Sequence, residues 1–148
     1  MKKKIKFTIL MLMTAPIVAL VVWDAYGNKL TLILERQNIE QTAERYLKAE
    51  RERNLPQVYA LLAPSSVYRK THTYQDYLKD AGSSSKKIST YRIIDVYRLR
   101  DNDNRENFPQ VEKFVQVEVD VTFTDTGENS IYNYCFTFLK ENGLWYKG

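Results

Sequence analysis

The stretch VQVEVDVTFTDTGENSIYNYCFTF, residues 115–138, decides the fold. Read as two strands around Thr126-Gly127, it forms a hairpin whose register follows from the turn. A tight loop at those two residues pairs Asp125 with Glu128. Stepping outward pairs Val121 with Tyr132, Val119 with Tyr134, Val117 with Phe136 and Val115 with Phe138. All four pairs are apolar and share one face, because side chains alternate along a strand. The other face carries Gln116/Thr137, Glu118/Cys135, Asp120/Asn133 and Thr122/Ile131. A one-residue slip would oppose three of the four valines to a polar or small residue, so the pattern itself specifies the pairing. The valine–aromatic face needs a cover, and the rest of the chain must supply it.

On the C-terminal side, Asn142-Gly143 is a two-residue turn signal. It folds residues 144–147 back, setting Tyr146 beside Leu139 and Trp145 beside Lys140. On the N-terminal side, residues 88–100 alternate with a period of two. One face carries Tyr91, Ile93, Asp95, Tyr97 and Leu99. The other carries Arg92, Ile94, Val96, Arg98 and Arg100. The first is the expected core face, which places Asp95 among apolar neighbours. Residues 101–109 form a polar loop.

Before residue 87 the period is helical. Ile39, Ala43, Tyr46 and Leu47 form one stripe over residues 37–53. Asn54 caps a second helix, with Pro56 in its first turn and Leu55, Val58, Tyr59 and Leu62 on one side. Pro64 ends it. Thr73-x-x-Asp76 is a capping box with Asp in place of Glu, and opens a third helix carrying Tyr74, Tyr77, Leu78 and Ala81. Gly82 and the serines at 83–85 stop that helix. The order is helices first, then four strands, an α+β arrangement without internal repeats.

The N-terminus carries an address. Lys2, Lys3, Lys4 and Lys6 precede a run without charge over residues 7–23, which spans about 26 Å as a helix, close to the roughly 30 Å bilayer core. Extension back to Ile5, with Lys6 snorkelling, closes most of the gap. We expect an uncleaved anchor over residues 5–23. A cleaved export signal is the alternative, with small residues at Ala25-Tyr26-Gly27. Either way the lysines stay inside and the domain faces outward. The expected organisation is an anchor and juxtamembrane break over residues 1–29, a linker over 30–36 and a folded domain over 37–148.

Charge and composition narrow the function classes. The formal net charge is +4, and 22 bases stand against 18 acids. Four of those bases are the lysines ahead of the apolar run, so the remainder is neutral. A nucleic-acid interface needs a basic face, and none is expected here. Cys135 is the only cysteine, which rules out an intrachain disulfide, and mid-strand it reads as a packed thiol.

Three patches, Ala43-x-x-Tyr46-Leu47, Val58-Tyr59-x-x-Leu62 and Tyr74-Gln-Asp-Tyr-Leu78, are followed by the closing Lys140-Glu-Asn-Gly-Leu-Trp-Tyr-Lys147. Together they resemble a nuclear transport factor 2-like (cystatin-like) domain over residues 37–148. The resemblance implies N-terminal helices packed on a curved four-stranded antiparallel sheet, often around an apolar pocket. Such a pocket would be lined here by Tyr46, Tyr59, Asp95, Tyr97 and Tyr134. Members of the family include isomerases and cyclases, ligand carriers and non-catalytic assembly domains, so fold does not select among them. An anchored version also resembles the periplasmic core subunit of type IV secretion systems, although this chain is shorter. The implied location is a bacterial inner membrane, single-pass, with the C-terminal domain in the periplasm or outside the cell, or secretion after cleavage.

No motif for a nucleophilic serine, a phosphate loop, a paired-cysteine site or a zinc helix is present, and no cofactor or metal is expected. His72 is the only histidine and falls in a loop. Asp101-Asn-Asp103 hints at a calcium loop, but Arg105 and Glu106 stand where a ligand and a glycine are needed. Asp95 with Tyr97 is the one pairing suited to acid–base chemistry. Its alternative is structural, a carboxylate bonded to a tyrosine or paired with an arginine at a sheet edge. No catalytic residue is assigned. The leading expectation is an anchored, outward-facing, non-catalytic domain with a protein partner or self-association. A small apolar-ligand binder comes next, then an isomerase- or cyclase-type enzyme using Asp95.

Overall fold

β-branched residues at every second position suit a pleated, half-buried ladder. They form one in the computed structural model of the chain, which describes residues 2–83, 87–124 and 130–148, and backbone alone for 2–15, 17, 19, 20, 24 and 25. The two central strands are β2 (Val111–Phe123) and β3 (Ile131–Glu141). Their register sets Val115 opposite Phe138, Val117 opposite Phe136, Val119 opposite Tyr134 and Val121 opposite Tyr132, as derived above. The turn at Thr126-Gly127 and the Asp125–Glu128 pair lie outside the described residues. With β1 (Ile88–Asp101) and β4 (Leu144–Lys147), the sheet is antiparallel in the order β1-β2-β3-β4. Asn142 and Gly143 both take positive φ, 50° and 77°, the geometry of a type I′ turn. That turn delivers Tyr146 to Leu139 and Trp145 to Lys140.

The cover comes from one helix. The chain divides into a unit ending at Leu34 and a second, Glu35–Gly148. Within the second, the C-terminal part of α1 (Lys2–Arg51) places Ile39, Ala43 and Leu47 on one stripe by their spacing of four. All three are buried, as are Val115, Val117, Val119 and Val121. Tyr46 lies edge-on to Phe136 and Phe138, with ring centroids 6.4 Å apart in each case. Polar contacts pin the helix across the sheet. Glu35 accepts from Lys140 Nζ at 2.8 Å and from Trp145 Nε1 at 2.9 Å, and Glu44 accepts from the Tyr91 hydroxyl at 2.7 Å. The cover is uneven. Val121 is 1% exposed but its partner Tyr132 is 40% exposed, and Tyr134 is also exposed. Helix α1 ends at Arg51, and the long side chains of Glu50, Arg51 and Arg53 reach that end of the sheet.

Strand β1 departs from simple alternation. Its pairing with β2 shifts between Ile88 and Thr90, between Ile93 and Asp95, and between Tyr97 and Arg100. The shift after Ile93 reverses the faces. Tyr91 and Ile93 stand opposite Val121 and Val119, but past the bulge it is Val96 that faces Val117, and Val96 is buried. Tyr97 faces Gln116 on the other side of the sheet. The expected single core face from Tyr91 to Leu99 is therefore corrected, although Leu99 itself is buried. Arg98 takes φ 55° within the last irregularity.

The connecting helices follow their caps. α2 (Leu55–Leu61) starts at Asn54, whose side chain accepts from Gln57 N. α4 (Tyr74–Ser83) opens with the reciprocal Thr73/Asp76 box, Thr73 N to Asp76 Oδ2 at 2.9 Å and Asp76 N to Thr73 Oγ1 at 3.2 Å. It ends at Ser83, within the stop read at Gly82 and the serines at 83–85. Between them lies α3 (Val67–Thr71), a single capped turn too short to show periodicity. Helix α1 closes through a Schellman motif, Asn54 N to Ala49 O and Arg53 N to Glu50 O, with Arg53 rather than glycine at the positive-φ position. Leu62 then bridges Lys147, and Ala63 N–H donates to Lys147 O at 2.7 Å, so this segment lies along the outer edge of β4.

Residues 24–29, read above as a break, are helical, as are 30–36. One glycine costs a helix only about 1 kcal/mol relative to alanine, so Gly27 does not interrupt it. Among the described residues, no helix is long and apolar enough to cross a membrane. Most side chains of the apolar run at 5–23 lie outside the described residues.

The assigned faces make a direct prediction. Val119→Asp sets an unpaired carboxylate under α1 and should cost about 3–5 kcal/mol. Asp120→Val, one residue along, removes an acceptor for Arg92 and Asn133 on the open face and should leave the urea midpoint close to that of the wild type. Urea melts that ranked the two in the opposite order would show the faces to be reversed.

Candidate functional site

The bulge decides the fate of Asp95. Its side chain is 50% exposed, and its Oδ1 accepts from Arg36 at 3.0 Å and from the main-chain N–H of Val96 at 2.8 Å. It is a satisfied acceptor at an edge strand. Tyr97 instead meets Cys135, with 2.8 Å between hydroxyl and thiol. Cys135 is exposed, so the expected packed thiol is corrected; β3 has no cover on that face at that position. Asp95 and Tyr97 therefore do not converge on one reacting atom.

The five residues gathered from the sequence divide among separate places. Tyr46 and Tyr134 line a cavity of about 270 Å³ with Glu50, Arg53, Val121 and Phe136. The Tyr46 hydroxyl donates to Glu50 Oε1 at 2.9 Å, and burial first, then that carboxylate, push its pKa well above the ordinary tyrosine value. It stays a neutral donor at physiological pH. Tyr59 belongs to an aromatic cluster on α2–α4, 5.1 Å from Tyr74 and 5.5 Å from Tyr77 between ring centroids, with the Arg69 guanidinium 4.9 Å from its ring. Burial raises Tyr77 to about 12. His72 is exposed, stacked on Tyr68 and bonded through Nδ1 to Thr71 Oγ1.

Two larger concavities differ in lining. One of about 730 Å³ is walled by Glu40, Gln41, Glu44, Arg45 and Ile93, the charged flank of α1. The other, about 590 Å³, is walled chiefly by Leu62, Tyr68, Tyr77, Phe108, Phe114 and Leu139. The second has the size and apolar lining of small-molecule sites, so it is the better pocket despite the smaller volume. Four of its polar side chains, Tyr68, Asp80, Ser65 and Ser66, are engaged within the chain. Tyr68 donates to Asp80 Oδ2 at 2.7 Å, which raises the tyrosine to about 12. Ser66 caps α3, and Ser65 bonds Glu141 through its main-chain N–H and its hydroxyl. The wall offers mainly carbon to an occupant.

Sequence reasoning missed this pocket and the buried Glu141 beside it. Extending the derived register one step beyond Val115/Phe138 pairs Phe114 with Leu139, an apolar pair on the otherwise polar face. That was the available signal. Ala63, Val111 and Leu139 form a second small core there, with Phe108, Phe114 and Tyr146 packed against it. No spacing rule marks Glu141, which precedes a surface turn yet is 2% exposed. The Asp101-Asn-Asp103 loop closes on itself. The buried Asn102 amide donates to Phe108 O and Val111 O, and Asp101 pairs with Lys113. Among the described residues, no three metal-type ligands cluster.

Compared with known proteins, the chain matches no family model, and no curated sequence matches it. The functional reading therefore rests on geometry.

Removing the charge of Asp95 tests its role. An exposed pair of this kind contributes at most about 1 kcal/mol, so Asp95→Asn should fold with a midpoint shifted by no more than that. A shift several times larger in thermal melts would mean that Asp95 is held more tightly than the Arg36 contact accounts for.

Proposed function

We propose that this chain is a membrane-anchored, outward-facing, non-catalytic assembly domain of the nuclear transport factor 2-like type. The carrying observation is that the middle of the sheet face available for a cup is filled by the chain's own Ile39, Ala43, Tyr46 and Leu47, which leaves a hollow of about 270 Å³ beside Tyr134. The anchor is supported by the N-terminal unit, whose helix exposes Val18, Val21, Trp23, Tyr26, Ile33 and Leu34. Apolar residues left uncovered on a helix call for lipid or another chain. Trp23 and Tyr26 close the apolar run, where aromatic residues mark a lipid–water interface. The four N-terminal lysines orient the segment with the domain outside a bacterial inner membrane.

Protease added to intact spheroplasts should digest the chain beyond residue 30, and the chain extracted in mild detergent should sediment as more than one copy or with a partner. Full protection until lysis would overturn the orientation. A protein mass of one chain across a tenfold concentration series would overturn the assembly role.

The pocket of about 590 Å³ supports a second reading, a carrier of a small apolar molecule. The dye 1-anilinonaphthalene-8-sulfonate should brighten on binding the folded wild type, and Thr137→Phe, which fills the pocket from β3, should remove that signal. Undiminished brightening in the variant would place the dye elsewhere and remove support for this reading.

A further inference from the structure

The sheet treats its edges differently. Along β1, three register shifts and the charged Arg92, Asp95, Arg98 and Arg100 interrupt the ladder, devices that keep an edge from pairing with another chain. The outer edge of β4 is occupied by Leu62 and Ala63. But β4 covers β3 only over residues 138–141, with Gly148 N–H reaching Thr137 O. Among the described residues, no strand pairs with the outer edge of β3 over residues 131–136. This segment is in unbroken register with β2, carries no charge from Ile131 to Leu139, and is exposed over residues 131–135. It has none of the protections found on β1.

We propose that this edge is a homotypic interface, where β3 of a second copy pairs antiparallel and the two sheets become one. The proposal deepens the assembly reading and rests on it, by naming the partner as the chain itself. The register can be derived. Thr137 accepts from Gly148, so its main-chain groups point outward, and by alternation so do those of Ile131, Asn133 and Cys135. A two-fold axis at Asn133 uses those three and nothing else. Asn133 faces its own copy, Ile131 faces the partner's Cys135, and Tyr132 faces the partner's Tyr134. Amide meets amide, tyrosine meets tyrosine, and a branched apolar side chain meets a thiol, as a self-complementary interface requires. An axis at Cys135 would instead need Thr137, whose carbonyl Gly148 already occupies.

The single native cysteine makes the register testable in the full chain in detergent. In the Asn133-centred pairing, Cys135 lies about 14 Å along the strand from the partner's Cys135, too far for a disulfide. Asn133→Cys in a Cys135→Ala background sets two thiols on residues with Cα atoms about 5.5 Å apart, within disulfide range. Under a mild oxidant this variant should become mostly covalent dimer while the wild type stays uncrosslinked. Adding Ile131→Lys, at an exposed position, should cut the dimer yield at least tenfold with the melting midpoint unchanged. Equal crosslinking of wild-type Cys135, or a variant that stays monomeric, would overturn the interface. If the variant stays monomeric while an amine crosslinker still traps the wild-type chain in a larger species, self-pairing fails and the assembly reading stands. If neither forms, both fail.

Discussion

Four valines of β2 packed under one turn-spaced stripe of α1 hold the domain together. Val115, Val117, Val119 and Val121 are all buried, and so are Ile39, Ala43 and Leu47 above them. Branched side chains at a period of two and helical ones at four meet only if α1 crosses the sheet. Glu35, Glu44 and Tyr46 fix that crossing through Trp145, Tyr91 and the Phe136–Phe138 pair. Once seated, the stripe fills the middle of that face and leaves the hollow of about 270 Å³ beside Tyr46 and Tyr134.

The opposite face is organised later in the chain. After α2, residues 62–66 bond along β4 and bring Ser65 to Glu141. A carboxylate that is 2% exposed must be given donors to stay buried, and Ser65 supplies two. This holds Ala63 over Val111 and Leu139 and leaves a carbon-lined hollow between Tyr68, Phe108 and Phe114. The small core is thus coupled to a polar contact rather than to a second helical stripe.

Edges complete the picture. Bulges in β1 turn Asp95 out to Arg36 and Tyr97 over to Cys135, which separates the only pair suggestive of acid–base chemistry. The same bulges protect that edge. β3 has neither bulge nor charge beyond the reach of β4, so its exposed tyrosines and an edge that no strand pairs among the described residues mark where association is physically easiest.

The hairpin register, the Asn142-Gly143 turn, the caps at Asn54 and Thr73, and the stripe Ile39–Ala43–Leu47 were all legible in the amino-acid sequence. Each depends on residues close in the chain or on a strict period, and local rules suffice for those. The faces of β1 were not legible, because a bulge adds one residue to the count and the pattern carries no mark of where. Nor were Tyr132 and Tyr134 as exposed residues, since alternation assigns a face but cannot say where the covering helix ends. Glu141 against Ser65 joins residues 76 apart in the chain, and neither local period nor propensity relates them. Pairing pattern and helix stripe were determined by the sequence itself; which polar groups meet, which cavity stays open and which edge is left uncovered were decided only when distant segments packed.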